Sequence, residues 1–269
     1  MRARGRFVVL LMLLAAWALR HPACAAPRGI PTPVVAQQAR HTGKFKVAYV
    51  EPKKPLYQKM QQGFESEHLL ETIADALNQH FVLPRDVTLA LGEAGTPNAF
   101  YHPKAHAIVI TYELIEYYIR LFEQITPDNI ADNTAGAVVF ALFHELGHCL
   151  IAELDLPATG REEDAVDDFA TLLLIENKEV GEKSILAASL WFAAKAASKA
   201  DSTPFWDEHS LDPQRFYGIL ALVYGSNPER YQKLCEAVGM SAQRLALARE
   251  EFTRKQKSWA RLLEPYRRQ

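Results

Sequence analysis

Two histidines four residues apart, with a glutamate directly after the first, form a local pattern that by itself specifies chemistry. They are His144, Glu145 and His148, within Ala141 to Leu150. On a helix, residues four apart stand one above the other, about 6 Å apart at Cβ, so both imidazoles can address a single ion. Zinc accepts neutral imidazole nitrogen, and a catalytic zinc keeps one tetrahedral position open for water. Glu145 is then placed to take a proton from that water. HExxH can also arise by chance in a chain with nine His, so the flanks decide. Here they are apolar and helix-forming. Between Asn133 and Ala152 the sole charge is Glu145, and Gly147 is small enough to let a neighbouring segment approach.

A catalytic zinc needs a third protein ligand. The longer HExxHxxGxxH extension would put Gly at 151 and His at 154, but Ile151 and Leu154 stand there. The next acids lie on the following helix, expected over Arg161 to Asn177: Glu162, Glu163, Asp164, Asp167 and Asp168. Acids at a helix start also complement its dipole, so helical geometry has to separate them. At about 100° per residue, Val166, Phe169, Ala170, Leu173 and Leu174 define the inward face. Asp164 and Asp168 point away from it. Glu162 follows Thr159 at capping-box spacing, which gives its carboxylate a backbone partner. Glu163 shares a stripe with Asp167 at the edge of the buried face. It is the favoured ligand, with Asp167 one turn on to hydrogen-bond a ligand imidazole.

Residues outside the fold come first. Arg2, Arg4 and Arg6 precede the apolar run Phe7 to Leu19, and Ala23-Cys24-Ala25 is a small-residue cleavage site. Residues 1–25 are therefore expected to be a signal peptide, too short in its apolar part for a comfortable span, which needs about 20 residues. Residues 26–43 are Pro-rich and expected to be a flexible lead-in, with one domain over 44–269. A net charge of −2 with both signs interspersed excludes a strongly basic nucleic-acid or anionic-membrane surface. Cys149 and Cys235 could pair in an oxidising compartment, or Cys149 could be a buried free thiol.

In the mature chain, Lys44 to Val50 alternates and ends at a proline, as a strand does. Glu67 to His80 has helical spacing, with Ser66 as its N-cap. Asp86 to Leu91 is a second strand. Asn98 to Tyr101 and Ala107 to Thr111 form a hairpin in which His102 and His106 read as solvated turn residues. Tyr112 to Ile125 is an amphipathic helix. Beyond the acidic helix, Glu182 to Ala200 is an apolar core helix. Asp212-Pro213 supplies an N-cap and a first-turn proline for a helix to Tyr224, Asn227-Pro228 does the same for the next, and Ser241 to Arg267 makes a last one. Strands first and helices after imply an α+β fold.

Glu-x-x-x-Asp on the helix after HExxH is the gluzincin arrangement. The whole mature chain resembles a family of exported bacterial metallopeptidases whose activity was inferred from its motif. The resemblance rests on Asn98 to Tyr101, His144 to His148, Gly160 to Ala165, and Asp207 to Asp212 with Arg215-Phe216-Tyr217. It implies a zincin-like fold and one zinc ion on His144, His148 and Glu163, with Glu145 as base. It also implies that Asn98 to Tyr101 is a sheet edge to which an extended peptide could add as a strand. The expected activity is hydrolysis of peptide bonds in the periplasm or outside the cell, without stable membrane association. His209 is the candidate donor to the developing oxyanion, with Tyr217 behind it. Two competing accounts are a zinc- or peptide-binding envelope protein without turnover, and zinc-assisted hydrolysis of another bond such as a cell-wall amide.

Overall fold

The computed structural model describes residues 42–197 and 210–268. The signal-peptide and lead-in expectations, apart from Thr42 and Gly43, lie outside the described residues, as does His209. The elements run β1 (Phe45–Tyr49), α1 (Pro55–Ser66), α2 (Leu69–His80), β2 (Val87–Gly92), β3 (Ala99–His102), β4 (Ala107–Thr111) and α3 (Tyr112–Ile125). A short 3-10 turn leads into α4 (Ile130–Leu154), followed by α5 (Glu162–Glu176), α6 (Lys178–Ala197), α7 (Asp212–Ser226), α8 (Pro228–Ala237) and α9 (Ala242–Leu263). The α+β class and the zincin-like layout expected from the sequence are what the chain adopts.

The sheet order is β1-β2-β4-β3: the first three strands are parallel and β3 pairs antiparallel to β4. Alternation places Val87, Leu89 and Leu91 of β2 and Ile108 and Ile110 of β4 in the core. α2 covers β1, while α4 runs beneath β3 and β4 and packs on α3, α5 and α6. Surrounded on all sides, α4 is apolar around its circumference and lacks a polar face. With its leading turn it is long and apolar enough by composition to cross a membrane, yet 67% of its apolar window is buried in the protein. α7, α8 and α9 close a smaller cluster around Leu220, Cys235 and Leu245.

β3 is an edge strand. The N–H of Thr111 donates to the Asn98 carbonyl at 3.0 Å, and the Asn98 N–H donates to the Thr111 hydroxyl at 2.9 Å, so the backbone of Asn98 faces β4. Strand alternation then turns the backbone groups of Ala99 and Tyr101 outward, over α4.

Two local expectations are corrected. α1 precedes α2 as a separate helix. Ser66 ends α1, its hydroxyl donating to the Gly63 carbonyl, and does not cap α2; His68, at φ 51°, makes that corner. Asp212 was expected as an N-cap, but α7 is capped at Leu211, and the buried Asp212 carboxylate takes Lys195 at 3.0 Å.

Candidate metal centre

His144 and His148 lie on α4 with ring centroids 5.0 Å apart, and Glu163 reaches them from the first turn of α5. The helices approach closely because Gly147 leaves room for Val166: a Cβ at 147 would stand 2.7 Å from a Val166 methyl carbon. Glu163 Oε2 is 3.1 Å from Nε2 of His144, and Glu163 Oε1 is 3.2 Å from Nε2 of His148. One ligand atom from each of the three residues lies within 4.8 Å of the others, a geometry that could hold a metal ion.

The outer nitrogens fix which atoms face this centre. His144 Nδ1 is 2.7 Å from Asp167 Oδ1, and His148 Nδ1 is 2.7 Å from Glu162 Oε1. An ionised carboxylate accepts but cannot donate, so each Nδ1 carries a proton and each ring turns its Nε2 inward. With both rings neutral, two imidazole lone pairs and a carboxylate converging at about 3 Å would repel, so a cation, either a proton or a metal ion, belongs among them. The donor set therefore fits a metal such as zinc, which takes nitrogen and carboxylate oxygen together.

Without a metal ion, the same carboxylates draw a proton onto the histidines. Burial disfavours the charged forms, but the imidazoles outweigh it and hold Glu163 well below the usual carboxylate range. Burial likewise opposes charge on Asp167, yet Arg215 and His144 lower its pKa to about 2. For His144 burial is the largest influence and acts downward; Asp167 and Glu163 overcome it and raise the pKa to about 9.

Two supports escaped the sequence reading. Arg215 on α7 grips Asp167 with both arms of its guanidinium, Nε to Oδ2 at 2.6 Å and Nη2 to Oδ1 at 2.7 Å, while lying 4.5 Å over the Phe192 ring. Glu162 makes no capping box: the N-cap of α5 is Arg161, without a side-chain cap bond, and Glu162 orients His148. Asp164 and Asp168 do point away, taking Ser210 and Lys255. The Tyr217 hydroxyl donates to the Val238 carbonyl at 2.9 Å and so is engaged at α8.

Glu145 is buried beside the pair, and its Oε2 accepts the outward-facing Tyr101 N–H at 2.8 Å. A cavity of about 350 Å³ opens from His144 and Glu145 under Ala99, with Tyr118, Phe140 and Trp191 among its walls. A larger one, about 570 Å³, lies among α5 to α9 around Glu182 and Arg230; His144, His148 and Glu163 do not line it.

A small sheet with an exposed edge strand, over a helix whose two histidines meet a glutamate of the next helix, is a zincin-like build with a group that could hold a metal ion. The chain belongs to the family described as "putative metallopeptidase", whose profile matches residues 49–263. No curated protein matches it. No solved structure does either.

Proposed function

We propose that the chain is a zinc peptidase acting on extended peptides. His144, His148 and Glu163 would hold the ion, and Glu145 would act as general base. The observation that carries this reading is the convergence of both Nε2 atoms and the Glu163 carboxylate on one point, with Glu145 and a free strand edge alongside. When bound, zinc acidifies a water and polarises a carbonyl. Asp167 and Glu162 hold the Nδ1 proton of each imidazole and so turn both Nε2 atoms toward the ion, and Arg215 keeps Asp167 anionic. Glu145 Oε1, which the Tyr101 N–H leaves open, accepts the proton of the attacking water. The same carboxyl group returns that proton to the leaving nitrogen. The outward N–H and carbonyl of Ala99 offer main-chain partners to a peptide laid antiparallel along β3. The cavity under Ala99 receives a side chain next to the scissile bond. With an exported leader, the site of action is the cell envelope or beyond.

The test is cleavage of a mixed peptide library by the zinc-loaded protein beside its Glu145→Gln variant. A peptidase cleaves as wild type, and the variant keeps its metal while kcat falls by at least about a hundredfold. A chain that binds one zinc and library peptides without cutting them is a binder, and the peptidase reading is then wrong.

A further inference from the structure

Away from the metal group, Glu153 on α4 gathers an unusual set of partners. Its side chain is 3% exposed and accepts the Tyr101 hydroxyl at 2.5 Å, His106 Nδ1 at 2.6 Å and Arg85 Nε at 3.3 Å. The three donors come from three places on the sheet: Arg85 ahead of β2, Tyr101 on β3, and His106 in the turn into β4, at φ 49°. The turn histidine expected to be merely solvated is thus half-buried and paired. A carboxylate has about four acceptor positions; three are used here.

Tyr101 therefore meets α4 twice. Its backbone N–H reaches Glu145 and its hydroxyl reaches Glu153, eight residues later, a separation of about 12 Å along a helix. We propose that Tyr101, anchored by Glu153, is a positioning residue that sets the height and register of the free β3 edge over the metal group. The inference rests on the peptidase reading for its kinetic consequence but not for its structural one. Burial and the Glu153 carboxylate push the Tyr101 phenol well above its ordinary pKa, so it stays a donor at any working pH. A free edge strand held by sheet pairing on one side alone can tilt. Tied to the helix at both ends of one residue, its outward N–H and carbonyl groups keep a fixed distance from His144, Glu145 and His148. Peptide affinity is what such a tie controls, because the metal ligands and the Glu145 carboxylate do not depend on the Tyr101 hydroxyl.

Tyr101→Phe removes the hydroxyl and leaves the backbone contact. On a library peptide that the wild type cleaves, KM should rise about tenfold, equivalent to about 1.4 kcal/mol, with kcat held within about threefold. Hydrogen exchange of the Tyr101 N–H, which Glu145 holds, should quicken while α4 amides stay protected. Glu153→Gln, which leaves one acceptor oxygen for three donors, should act in the same direction. A lowered Tm with KM and β3 exchange unchanged would mean a merely structural bond, and so would a fall in kcat at constant KM; either overturns the proposal. If the wild type cleaves no peptide, the peptidase reading fails by itself, and the β3 exchange comparison still decides whether the tie exists.

Discussion

At the scale of single residues, the candidate centre is a group of three side chains that could hold a metal ion, with Nδ1 protons placed by their neighbours. His144 and His148 could be found from spacing because an i, i+4 pair is a local property of one helix. Glu163 and Asp167 were legible for the same reason, since one stripe of α5 carries both. Arg215 was not, because its bond to Asp167 spans 48 residues and no periodicity announces it. Glu162 was misread because capping-box spacing is satisfied by sequence alone, whereas the carboxylate goes to the nearer unmet donor, the Nδ1–H of His148. If Asp167 fixes the tautomer of His144, Asp167→Asn should keep the fold and weaken zinc affinity by about 10- to 100-fold in chelator competition. An affinity equal to wild type would remove Asp167 from the account.

The scale of elements is where α4 and α5 meet. Gly147 carries that contact: an added methyl would lie 2.8 Å from Val166 Cβ and 3.2 Å from its Cα, so the helix itself must give. Gly147→Ala should destabilise by about 1–3 kcal/mol, as overpacking does, and also loosen zinc binding by displacing Glu163. Thermal unfolding and chelator competition on the same variant check both effects. At the far end of α5, burial raises the Glu176 pKa to about 7. Between its ordinary value of 4.5 and about 7 the folded chain retains a proton that the unfolded chain has released. Its contribution to stability is therefore lost as pH rises through that window. Glu176→Gln should flatten the decline of Tm between pH 5 and about 7 relative to wild type; an unchanged slope would contradict the assignment. The start of α2, read at Ser66, was misplaced for a related reason. Its corner is made by His68 in the left-handed region, a conformation that residue type does not announce.

For the whole molecule, the strands-then-helices order sufficed for the fold class, and the family profile over residues 49–263 agrees with it. What order could not supply was the course of β3 across α4, which depends on Tyr101, His106 and Arg85 closing on one buried carboxylate. The cysteine question is answered: Cys149 and Cys235 are both free and buried, and burial pushes the Cys149 thiol up, so neither is poised to react. The central claim is that α4 and α5 share one cation, and elemental analysis of purified protein against two single-ligand variants tests it most directly. The account predicts about one zinc per wild-type chain, and a loss of at least about tenfold in affinity for both His148→Ala and Glu163→Ala, with folding retained. Zinc retained at wild-type affinity in Glu163→Ala, or absent from the wild type under saturating metal, would contradict it.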